Sequence, residues 1–172
     1  GQSIPQISFI AFNADAQDDF AFVSLNSISA NTTIFFTDNE ALNDSAFSGG
    51  EGFLSWTNTS FISSGTVVIV NNAGSSTNSS VNLGSIQNIG RNFNLSASGD
   101  ALLAYLGPNK DHATHWLSGI ENSANQAGNI VATGLTLSQN FIQFYQSSSP
   151  DGAYYNGTRT GELSFNDYQA LI

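Results

Sequence analysis

Five carboxylates crowd around one short stretch of this chain. Asp15, Asp18 and Asp19 precede an alternating apolar segment, Phe20 to Leu25, and Asp38 and Glu40 follow a second, Thr33 to Thr37. Such alternation predicts strands with one wet and one buried face. If the two strands pair antiparallel, their acidic ends meet, and two loops offer carboxylate, amide and carbonyl oxygens. That is the ligand type Ca2+ takes, in sets of about 6–8. The competing reading is that Asp18 and Asp38 accept hydrogen bonds from loop backbone N–H groups as turn-forming residues. No EF-hand spacing supports the calcium reading.

Other reactive groups are few. His112 and His115 are the only histidines. On a helix their spacing aligns both rings, but no third ligand suited to zinc accompanies them. No Gly-x-Ser-x-Gly nucleophile elbow occurs. Asp18 and Asp19 are adjacent, so on a strand they point to opposite faces and form no glycosidase pair. This inventory argues against an enzyme. Tyr154 and Tyr155, in a Gly-rich loop, and Trp116 are candidate platforms for a glycan, with core filling as the alternative use of such rings. Asn31, Asn43, Asn58, Asn78, Asn94 and Asn156 each open an Asn-x-Ser/Thr sequon and are candidates for glycosylation.

The composition narrows the class. Charged residues make up 9% of 172, against roughly 25% in ordinary soluble proteins, and Ser, Thr, Asn and Gly supply the polarity. A net charge of −10 opposes binding to nucleic acid or anionic lipid, because no basic patch neutralises phosphate. With no Cys, disulfides, thiolate zinc sites and thiol nucleophiles are excluded. With no Met, a chain opening at Gly1 is expected to have lost a secretory signal peptide. No apolar run approaches a membrane span. An extracellular or cell-surface setting is the expectation.

The elements that must position these groups are short strands. Ile4 to Phe12 reads as the first, with Ile7, Phe9 and Ala11 on one face and Ser8, Ile10 and Phe12 on the other. Gly52 to Trp56 and the β-branched Gly65 to Val70 follow, the latter expected to be buried. Asn71 to Ser80 reads as an exposed loop. Asn92 to Leu95 and Ala101 to Leu106 read as a hairpin around Ser98-Gly99-Asp100. His115 to Ile120 fits a strand or a helical turn, and Asn129 to Thr133 and Asn140 to Gln146 read as late strands. Ser164 and Asp167 suggest a cap for a short C-terminal helix. Strands at about 8–12-residue intervals between Gly, Asn and Ser clusters predict one all-β domain, an antiparallel β-sandwich over residues 1–172.

Several segments in this order, DDFAFV (Asp18 to Val23), FFTDNE (Phe35 to Glu40), EGFLSWT (Glu51 to Thr57), GTVVIV, NFNLSASGDALLAYLG (Asn92 to Gly107), GLTL and YNGTRTG, resemble an exported bacterial β-sandwich module. That module stands at the N-terminal end of larger secreted proteins with phosphoesterase, nuclease or surface-anchoring parts, and is distantly similar to lamin-tail and immunoglobulin-like domains. The resemblance implies an accessory or surface role. An aromatic residue often follows the TDNE segment in that module, where Ala41 stands here.

Residues 1–12 carry one further expectation. Pro5 cannot donate to a central ladder, and the strand after it is apolar on both faces. Such a strand can stay in its own domain, or complete a neighbour's sheet through Ile7, Phe9, Ile10 and Phe12. Repeated head to tail, that exchange gives a homopolymeric filament.

Overall fold

A computed structural model describes residues 3–15, 17–124 and 127–157. The chain folds into two packed sheets, as the spacing of its strands predicts. One sheet runs β11-β1-β2-β5-β6 and the other β10-β9-β8-β3-β4-β7. The first comprises β1 (Ile7–Asn13), β2 (Asp19–Ser24), β5 (Val67–Asn71), β6 (Ser80–Val81) and β11 (Gly152–Tyr154). The second comprises β3 (Thr33–Thr37), β4 (Phe53–Thr57), β7 (Ser85–Asn88), β8 (Ala101–Leu106), β9 (His115–Glu121) and β10 (Phe141–Gln143). All pairings between these strands are antiparallel except that of β9 with β10. One short helix, α1 (Ala127–Thr133), lies between β9 and β10. No helix among the described residues is long and apolar enough to cross a membrane.

The predicted pairing of Phe20 to Leu25 with Thr33 to Thr37 does not form. β2 pairs with β1 and β5, whereas β3 pairs with β4 and β8 in the opposite sheet. Their alternation is satisfied face to face: Phe20 and Phe22 from one sheet meet Phe36 from the other, with ring centroids 4.9 and 5.5 Å apart. At one end the chain crosses between sheets after β2, after β4 and again after β6. The first two crossings bridge each other at Ile28 and Ile62, which plug that end of the core.

β1 begins three residues later than the sequence pattern suggests and contains a register shift between Phe9 and Ala11. A bulge adds one residue to one strand and so resets the alternation. Ile7, Phe9 and Phe12 therefore all enter the main core, while Ile10 joins Val23, Leu25, Val67 and Tyr155 in a small outer cluster. This explains a strand apolar on both faces.

Other expectations are corrected. Val68 and Val70 are buried but Ile69 is exposed, so β5 alternates. The loop after it is anchored at its start, where Ala73 is buried and its N–H donates to the Asp18 carbonyl. Residues 92–95 form no strand and no hairpin with β8; Phe93 and Leu95 instead cap the core. Residues 129–133 belong to α1 rather than to a strand. Ile130 and Ala132 of that helix cover Ala41, Leu103 and Phe141, so tertiary cover outweighs the β propensity of Ile and Val. Ala41 is buried under that cover. The expected C-terminal helix lies outside the described residues.

Candidate functional site

The two acidic ends of β2 and β3 do approach each other, but across the sandwich rather than along one sheet. Asp18 precedes β2 and Asp38 follows β3, and the segment 92–95 passes between them. The Asp38 carboxylate accepts the Gly52 N–H at 2.7 Å and the Asn94 N–H at 2.8 Å. Asp18 accepts the Leu95 N–H at 3.0 Å. Two carboxylates, one from each sheet, thus hold the non-strand segment whose Phe93 and Leu95 close the core. These backbone donors would otherwise lie beside the core without partners.

Next to Asp38, Thr37 donates its hydroxyl to the Gly52 carbonyl at 2.7 Å. Asn39 donates its side-chain amide to Thr37 Oγ1 and Gly52 O, and accepts the Glu51 N–H. The Thr-Asp-Asn run is therefore a buried polar knot that ties the end of β3 to the start of β4. Gly52 is obligatory there, because a Cβ would collide with the Phe93 backbone. A Cβ at Gly74 would stand 2.5 Å from Asp18 Oδ2.

A cavity of about 540 Å3 opens at this end, lined by Asp18, Asp38, Glu51, Gly74 and residues 92–94. Burial pushes the Asp38 carboxyl up to about 7 against the opposing pull of its N–H donors, and Glu51 adds to the rise. Burial also raises Asp18 and Glu51, the latter aided by Glu40. Of the five acids read from the sequence, only Asp18 and Asp38 line this cavity. Asp19 turns to the outer face, where it binds Asn13 and the Asn72 N–H. Asp15 lies in the exposed turn after β1, and Glu40 accepts the Ser48 hydroxyl. Among the described residues no group of three or more His, Asp or Glu is placed to hold a metal ion.

Three acids that the sequence reading did not single out as ligands share this chemistry. Glu51 has a buried Oε2 without a hydrogen-bond partner. Burial pushes Asp100 up to about 7, against the Ser96 and Ala101 N–H donors and with help from Asp38 and Glu51. Burial does the same to Glu121, whose Oε1 accepts the Gln143 amide. A signal existed for Glu121, a lone charge at the end of the uncharged strand segment Trp116 to Ile120.

The remaining candidates divide. His112 and His115 line one cleft of about 700 Å3 with Asp44 and Trp116, on a turn and a strand rather than a helix. Trp116 is half-buried, donates its Nε1–H to the Asp44 carbonyl and packs on Phe47 and Tyr105. Tyr155 is buried over Val23, so it offers no platform, while Tyr154 is 69% exposed. Asn58 is buried and donates its side-chain amide to Ser29 and Ser60 carbonyls, which removes it from the accessible sequons. Asn31, Asn43, Asn78, Asn94 and Asn156 are exposed.

The fold and these sites define an all-β sandwich whose acids brace loops at one end. No family model, curated protein or solved structure matches the chain. The resemblance to exported bacterial modules therefore rests on the segments themselves.

Proposed function

We propose that this chain is a non-enzymatic extracellular structural module that joins copies of itself by exchanging β1. The observation that carries the reading is the position of that strand. β1 is the first element, lies one strand from the sheet edge and places Ile7, Phe9 and Phe12 in the main core. Its outer neighbour β11 pairs with it over three residues only. Withdrawal of β1 thus leaves a long slot beside β2, which an identical strand from another copy refills with the same register. At about 1.5–3 kcal/mol per large buried side chain, such a junction is strong.

Electron microscopy and sedimentation of the full chain test this. Filaments that disappear on deletion of residues 1–12, with the truncated chain staying monomeric when that segment is added as a free peptide that fills the slot without linking copies, are the expected result. A full chain that stays monomeric at high concentration overturns it. A glycan-binding role is the second reading, favoured by the exposed ring of Tyr154. Calcium, one of the two readings that the acidic ends allow, would draw on Asp18 and Asp38 together with loop carbonyls rather than on all five acids. A melting midpoint equal in millimolar calcium and in chelator removes it.

A further inference from the structure

The outer face of the five-stranded sheet carries a row of paired residues, Tyr154 on β11, Ala11 on β1, Ala21 on β2 and Ile69 on β5. Two alanines between an exposed tyrosine and an exposed isoleucine leave a valley. It forms a groove of about 310 Å3. The next row, Gly152, Asn13 and Asp19, also lines it. Asp19 Oδ1 accepts the Asn72 N–H at 2.8 Å and Oδ2 accepts the Asn13 amide at 3.1 Å. Both donors are neutral. The one ion pair among the described residues, Lys110 with Asp111, lies elsewhere, so no basic side chain among them pairs with Asp19.

We propose that this groove binds a basic side chain, Arg or Lys, presented by a partner polypeptide. The alkyl stem lies on Ala11 and Ala21, and the cation sits at the Asp19 carboxylate beside the Tyr154 ring. Long basic side chains combine an apolar stem with a charged head, which matches an apolar floor that ends in a carboxylate. The ring of Tyr154 adds attraction for a cation over its face. The net charge of −10 steers cationic partners toward the molecule. Small-molecule sites span about 300–1,000 Å3, and this groove stands at the lower limit, suited to one side chain rather than a sugar chain. The polar groups at its end also bond to each other, which leaves little for sugar hydroxyls. With only three basic residues of its own, the chain points to a different protein as the source. β1 supplies Ala11 and Asn13, and a strand exchanged in the same register rebuilds the same groove, so this inference holds with or without strand exchange.

The test is NMR titration of the monomeric chain, with the Ala11 and Ala21 methyls as reporters. The probes are an acetylated, amidated Gly-Gly-Arg-Gly-Gly peptide, its norleucine counterpart and cellobiose. The arginine peptide is expected to shift both methyls saturably, about tenfold more tightly than the norleucine peptide, and less tightly as salt rises. Asp19→Asn is expected to abolish that preference. Ala21→Leu, an outward substitution that fills the valley, is expected to abolish binding while the core-methyl spectrum stays unchanged. Equal response to both peptides, no saturable shift with arginine, or shifts with cellobiose alone overturn the proposal.

Discussion

Asp38 shows how a residue that invites a functional reading does structural work. Its two oxygens satisfy backbone donors on different segments, Gly52 at the start of β4 and Asn94 in the core-capping loop. Removal of such an acceptor leaves buried donors that each cost about 1–3 kcal/mol. Asp38→Ala is therefore expected to destabilise the chain by about 2–4 kcal/mol, read as a lower midpoint in urea. Asp38→Asn keeps one acceptor oxygen and removes the buried charge, so its expected loss is smaller. Equal losses in the two variants would mean that charge, not acceptor count, governs the position. Asp15, also an aspartate but in an exposed turn, is expected to tolerate Asp15→Ala within about 0.5 kcal/mol.

At the level of elements, two substitutions separate the core-forming strand from the covering helix. Phe9 is fully buried and packs edge-on against Phe20 and Phe36. Phe9→Ala is expected to cost about 3–5 kcal/mol by urea denaturation. Ala41 sits beneath Leu135, Phe141 and the inner side of α1, so Ala41→Phe is expected to cost about 1–3 kcal/mol or to detach that helix. Helix detachment would appear as faster amide exchange confined to residues 127–133. The strands themselves are legible in the sequence where alternation or a bounded apolar run marks them, as in β2 and β3 for the first and β8 for the second. Legibility failed at β1, because a bulge changes the face of every residue beyond it while leaving composition untouched. It failed at Asn92 to Leu95, whose alternating Phe93 and Leu95 look like half a hairpin yet cap the core from a loop. α1 was missed because seven residues containing Ile130 and Val131 carry no helical period, and only packing over Ala41 selects the helix. Asp18 and Asp38 share a cavity, but not with Asp15, Asp19 and Glu40 and not through the strand pairing that the sequence suggests. The acids meet because the two sheets close over each other at that end, not because their strands pair.

For the whole molecule, the consequential feature is that the buried acids have no cationic partner among the described residues, where the one ion pair joins Lys110 and Asp111. Glu121 is raised from an ordinary value of 4.5 to about 7 by burial, against its hydrogen bond from Gln143. Asp100 rises from 3.8 to about 7, also chiefly through burial. A carboxyl whose native value lies above its unfolded value keeps a proton in the fold that the unfolded chain has already released. Between the two values the native state binds more protons, so stability falls as pH rises. The contribution is fully present below about pH 4 and is lost as pH passes through about 7. The protein is therefore expected to be more stable at pH 5 than at pH 8, the reverse of proteins whose carboxylates are held by salt bridges. Urea midpoints at the two pH values and one ionic strength measure this directly. Glu121→Gln isolates one contributor: whatever its absolute stability, its midpoint should change less between pH 5 and pH 8 than that of the parent chain. A parent midpoint that rises with pH would show that these carboxyls are ionised in the fold, held by interactions stronger than their burial.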